Sequence, residues 1–306
     1  MTSGEPQPLS ELLAAYRKEQ AAFEQQLWER WKPACDLYDL VLLEARQAAA
    51  FFLKHYRAEA AQNQDALFEV FTRLHARAYR TAWEIRALLL SGNPDGALAR
   101  WRTLYEVLVV MSFIEKHGAD TADRYLKYDT IQTAKVVRQY EQYHEVLGHA
   151  PLEEGRAKSI QAERHELVKE WEAPEREDNA WAARALGVTN PRDHIGFDRL
   201  EKDMQLEHVR LYYNLASNHI HANVKGLAED PWADMEPSIR HLSLAGYEGM
   251  ARLADCTNIM VKLRPTEDTQ RLTQDLDQLV QAGERVFQEI EQTLKQEAQG
   301  AASEEQ

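Results

Sequence analysis

The chain has 306 residues, 44% of them hydrophobic, and a net charge of −14 at pH 7, with 50 Asp and Glu against 36 Lys and Arg. That length suits one large helical domain or two small ones, with enough apolar material for a sizeable core. The acidic balance argues against general coating of DNA, RNA or anionic membrane by a basic surface, while leaving room for a local basic pocket.

Helical periodicity runs through nearly the whole sequence. A first helix is expected from about Ser10 to Trp31, stopped by Pro33, and a second follows at once in CDLYDLVLLEARQAAAFFLKHY. A third spans about Gln64 to Leu90 and ends at SGNPDG, where Gly92 suits a left-handed C-cap and Asn93-Pro94 reads as N-cap plus first residue of a fourth helix. That fourth helix ends at Gly118, and Asp120 is expected to cap a fifth running to about Leu147. A charged, largely exposed sixth helix follows in LEEGRAKSIQAERHELVKEWEA. Residues 173–197 form the least regular stretch, a lid or loop with one short helix around Trp181. A further helix is expected from about Asp203 to Asn223, then the loop GLAEDPWADMEP, then a helix from about Ser238 to Leu263. Pro265 breaks that helix, Thr266 caps a long terminal one, and the tail QGAASEEQ reads as disordered. No fixed-period repeat or strand-like alternation survives.

The expected fold is therefore all-α: an up-and-down helical bundle with an N-terminal helical hairpin. The domain reading assigns 1–62 to the hairpin, 63–263 to the core bundle and 264–306 to the long C-terminal helix and tail. Cys35 and Cys256 lack CxxC spacing, which suggests neither a disulfide framework nor a zinc site and fits a reduced cytoplasm. MTSGEPQPLSELL lacks a signal-peptide pattern, and VLVVMSFI, flanked by Glu106 and Glu115, is far short of the ~18 residues of a membrane span.

Two segments carry concentrated polar chemistry. In the fourth helix, Glu106 lies inside an apolar run from Leu104 to Ile114, with Arg102 one turn earlier. A lone buried carboxylate costs several kcal/mol, so Glu106 must be paired, neutralised or open to a cavity. Arg102 and Glu106 share a face and can pair. They form either a structural ion pair or the lining of a polar pocket.

The second segment is YYNLASNHIHANVKG, residues 212–226. On a helical wheel, Leu206, Val209, Tyr213, Ala216 and Ile220 make an apolar stripe, with Arg210, Asn214, Ser217 and His221 along one flank. His219 and His221 point apart, which disfavours a metal site. A half-buried His221 beside Ser217 suits a proton carrier near neutral pH, or a structural histidine complementing a helix C-terminus. The sequence contains no phosphate-binding glycine loop, nucleophile elbow, HExxH or kinase set, so no cofactor is expected.

SGNPDGALARWRTLYE, followed about a hundred residues later by SNHIHAN, resembles an uncharacterised bacterial helical family known only as a domain of unknown function, marked by RTLxE and SxxVH motifs. The resemblance covers roughly residues 65–225 and falls on Arg102, Thr103, Leu104, Glu106, Ser217, Ile220 and His221. A more distant resemblance is to HEPN domains, helical bundles that often act as metal-independent ribonucleases in toxin and phage-defence systems. It implies a cleavage site with Arg102, Glu106 and His221 as catalytic residues, and Arg210, Tyr213, Asn214 and Ser217 as substrate-binding residues for RNA or a nucleotide. Two other readings stand beside it. One is a non-enzymatic interaction or regulatory module, able to form a homo-oligomer, with a buried polar network. The other is a small-molecule pocket using Trp101 or Trp181 as a stacking wall.

Overall fold

A computed structural model describes residues 8–171, 178–190, 193–218, 220 and 238–304. Among these there is no strand. The helices are α1 (Leu9–Gln62), α2 (Ala66–Leu90), α3 (Pro94–His117), α4 (Ala119–Tyr143), α5 (Arg156–Trp171), α6 (Phe197–Asp203), α7 (Arg210–Asn218), α8 (Ile239–Lys262) and α9 (Glu267–Glu304). Single 3-10 turns stand at Ala180–Ala182 and Glu207–Val209. The fold is all-α, as expected.

The junctions show where local chemistry decides. Gly92 takes φ 72°. Its N–H donates to the Leu89 carbonyl at 3.1 Å, and the Asn93 N–H donates to that of Leu88 at 2.8 Å. This is the paired closure of a Schellman cap. Pro94 then opens α3, as its fixed φ and missing N–H favour. Ser238 caps α8 by accepting from the His241 N–H at 3.3 Å. Thr266 and Thr269 exchange backbone-to-hydroxyl bonds of 2.8 and 3.1 Å at the start of α9.

Elsewhere packing overrides the local signal. The break expected at Pro33 is absent: the two expected helices are one helix of 54 residues with Pro33 inside it. The lost backbone bond costs about 3 kcal/mol. Against it, Trp31, Ala34, Cys35 and Tyr38 are all buried around the exposed proline. Asp120 does not cap α4. Gly118 holds that position at φ 82°, and Asp120 lies in the first turn, accepting from Arg184. The 299–306 tail is not wholly irregular, because α9 continues to Glu304.

The chain divides into two units: Met1–Phe52, His75–Leu108 and Leu211–Gln306 in one, Leu53–Leu74 and Val109–Arg210 in the other. In the first unit, Tyr38, Ile85, Leu98, Leu104, Met250 and Leu276 are among the buried core residues. The antiparallel pair α8 and α9 is clasped by Ser243 donating to the Phe287 carbonyl at 3.3 Å. Gly246 is required there, since a Cβ would run into the Phe287 ring. In the second unit Trp181 sits in the 3-10 turn Ala180–Ala182, where a short helix was expected, and is a core residue. Its ring meets Tyr125 at 4.9 Å and Phe113 at 5.5 Å, both edge-on. Arg124 donates to its carbonyl at 3.3 Å and lies 4.4 Å over the Trp171 ring.

Candidate functional site

Within the first unit, α3 and α7 bring together four of the seven residues singled out in the sequence. Arg102 and Glu106 stand one turn apart on α3, and Tyr213 and Ser217 one turn apart on α7. Arg102 Nε donates to Glu106 Oε1 at 3.2 Å, and Arg102 Nη1 donates to Ser217 Oγ at 3.3 Å. The Tyr213 hydroxyl donates to the same Glu106 oxygen at 2.8 Å, and Ser217 Oγ donates to the Tyr213 carbonyl at 2.8 Å. The Arg102 guanidinium lies 4.4 Å over the Tyr213 ring. The four residues thus close a ring of hydrogen bonds between two helices, one link running to the Tyr213 main-chain carbonyl, with a cation–π contact across it.

Burial grades across this ring. Tyr213 is buried, whereas the side chains of Arg102 and Glu106 keep 22% and 39% of their surface. Burial, and then the Glu106 hydrogen bond and charge, push the Tyr213 phenol up to about 12, with Arg102 pulling the other way. Tyr213 is therefore a neutral donor at physiological pH. Behind it the rings of Tyr105 and Tyr213 meet at 6.1 Å, and Trp101 stacks on Tyr105 at 5.5 Å. The guanidinium is held from below by an aromatic face and at its edges by a carboxylate and a hydroxyl.

The remaining expected residues separate. Arg210 forms its ion pair with Glu201, a carboxylate in the second unit that is only 1% exposed. Asn214 is exposed: about 100° round the helix from Tyr213, it points away from the seam. The continuous helix expected over 203–223 is also corrected. Gln205 adopts φ 57° and ends α6, with Leu206 N–H donating to the Glu201 carbonyl at 2.9 Å, and α7 begins afresh at Arg210. His221 lies outside the described residues.

Trp101 and Trp181, the two stacking walls considered for a small-molecule pocket, are each 1% exposed. A cavity of about 430 Å³ instead lies on the opposite flank of α7, where Leu211, Tyr212 and Leu215 face Arg240, Tyr247 and Phe287. Among the described residues, no group of three or more His, Cys, Asp or Glu could hold a metal ion, and no helix is long and apolar enough to cross a membrane.

A family model for a family of unknown function, DUF5677, matches residues 68–236, more than half of the chain. The chain belongs to DUF5677. The match covers both the Arg102–Glu106 and the Tyr213–Ser217 halves of the ring, and His221 besides. No curated protein and no solved structure matches the chain.

Proposed function

We propose that the α3–α7 ring is the fixed half of an RNA-cleaving site, with His221 as its proton carrier. The observation that supports this reading is the state of Arg102: clamped by Glu106, Ser217 and the Tyr213 ring, yet still partly in water. A cation oriented before the reaction needs no reorganisation when charge develops on a phosphoryl group, and one such donor is worth about 10²–10³ in rate. In the sequence His221 stands four residues after Ser217. In the proposed step, His221 takes the proton from a ribose 2′-hydroxyl and the 2′ oxygen attacks the adjacent phosphorus. The phosphorus–5′-oxygen bond breaks, the leaving oxygen takes a proton from water, and His221 returns the proton it took to solvent. The products are a 2′,3′-cyclic phosphate and a 5′-hydroxyl end, formed by general acid–base chemistry without a redox partner. A toxin or phage-defence setting is the context in which such an activity would be used.

The closure of the ring favours a second reading. Ser217 both accepts from Arg102 and donates to the Tyr213 carbonyl, so its hydrogen-bonding capacity is largely used inside the protein. A network of this kind also fixes helix register in a non-enzymatic interaction module. The two readings separate with purified protein and single-stranded RNA in a chelator. Cyclic-phosphate ends that disappear in His221→Ala, with the melting temperature unchanged, are the expected result. No cleavage by either protein, or equal cleavage by both, removes the nuclease reading.

A further inference from the structure

The cavity beside α7 is walled by three helices of the first unit, α7, α8 and α9. At about 430 Å³ it has the size of a ligand pocket, and such pockets combine apolar walls with a few placed polar groups. The apolar wall is Leu211 and Leu215 on one side, with Leu244 and Phe287 on the other. Phe287 is fixed in advance: its ring lies where a Cβ on Gly246 would stand, and it meets Trp31 at 5.9 Å. Leu211 is 73% exposed at the rim.

The polar groups are sorted along the cavity. Arg240 and Tyr247 are two turns apart on α8, and Glu291 and Glu284 two turns apart on α9, so its ends stand about 10 Å apart. The helices run antiparallel, with Ser243 bonded to Phe287 and Gly246 beneath that ring, which sets Glu284 at the Tyr247 end. At the Arg240 end Glu291 is held by Lys295. At the Tyr247 end Arg252 is shared between Glu248 and Asp255, at 3.0 and 2.9 Å. Glu284 accepts from Gln288 at 3.3 Å and has no ion-pair partner among the described residues. Burial, and then the charges of Glu284 and Glu248, push the Tyr247 phenol above its ordinary range, with Arg252 pulling the other way. The Tyr247 end is thus electronegative and carries a neutral hydroxyl.

We propose that this cavity binds a small organic monoamine, with its ammonium group at the Glu284 end and its apolar body between the leucines and Phe287. An ammonium offers donors and no acceptor, which suits a carboxylate and a phenol oxygen. A carboxylate-bearing ligand would meet Glu284 and Glu248 as like charges. Arg240 is exposed, so solvent screens its pull on such an anion. A diamine of the cavity's length would bring its second charge to the Arg240 end. The cavity lies on the flank of α7 away from Arg102, and this inference does not rest on the nuclease reading.

Calorimetric titration of the full chain at neutral pH with phenethylamine, phenethyl alcohol and phenylacetate tests it, since the three share a ring and differ in charge. The amine is expected to fill one site per chain and to bind about tenfold tighter than the alcohol or the acid. Glu284→Gln, at a half-exposed position, is expected to lower amine affinity about tenfold and erase that preference, with an unchanged far-ultraviolet circular dichroism spectrum. Tyr247→Phe keeps the ring and is expected to weaken the amine by a smaller factor. No uptake of phenethylamine at millimolar concentration overturns the proposal, as does equal binding of the three probes. Amine binding indifferent to Glu284→Gln reports general attraction to an acidic chain and overturns it too.

Discussion

Two of the polar insertions between helices of the first unit are built on opposite principles. His75 of α2 and Thr257 of α8 are both buried and joined by one hydrogen bond of 3.0 Å. Burial pushes the imidazole down to about 4, so it is neutral. The Arg102, Glu106, Tyr213 and Ser217 ring keeps two formal charges, and both charged side chains reach water. Full burial favours a polar pair that is uncharged and mutually satisfied, whereas partial burial lets charges survive in a fixed arrangement at lower cost. The first is the design of a core contact, and the second leaves room for chemistry.

The largest expected effect breaks the buried pair by pH. The folded state resists protonating His75, while the unfolded chain binds a proton below its ordinary value of 6.5. This contribution to stability is therefore complete above about pH 6.5 and is lost as pH falls from there through about 4. It amounts to ~3 kcal/mol. Urea unfolding at several pH values measures it, and His75→Leu should remove that part of the acid sensitivity. Next in size, Thr257→Val leaves the His75 ring without its partner and should cost about 1–3 kcal/mol at pH 7, read from the shift in unfolding midpoint. Tyr213→Phe deletes the hydroxyl bond to Glu106 but keeps the ring under Arg102, so its cost should be smaller, about 1 kcal/mol. Equal losses for Thr257→Val and Tyr213→Phe would erase the distinction between the two designs. At the small end, Arg184→Ala removes an exposed contact with Asp120 and should shift stability by less than about 0.5 kcal/mol, the surface baseline for the others.

How much of this was readable in the sequence depended on whether a local signal and the packing agreed. SGNPDG specified the α2–α3 junction because Gly92 and Pro94 each have one cheap conformational role there. Pro33 misled, because the cost of one lost backbone bond was outweighed by the apolar residues around it. The break after α6 had no signal at all, since Gln205 and not a glycine takes the left-handed conformation. That hidden break also explains Arg210. Its partner Glu201 belongs to a different helix, so a wheel drawn through both could not show the pair. Periodicity did pair Arg102 with Glu106, but the flank it drew through Arg210, Asn214 and Ser217 sends only Ser217 to Arg102. It could not show that the Tyr213 hydroxyl ends on Glu106, which depends on how two helices far apart in sequence meet.

Arg102→Lys separates an α3–α7 ring that fixes Arg102 for work on a phosphodiester from one that only sets helix register, because lysine keeps the charge but loses the planar fork that meets Glu106 and Ser217 together. RNA cleavage should fall by about 100-fold or more, with the melting temperature within a few degrees of wild type. Undiminished cleavage by Arg102→Lys, or none by the wild-type chain, would contradict the account.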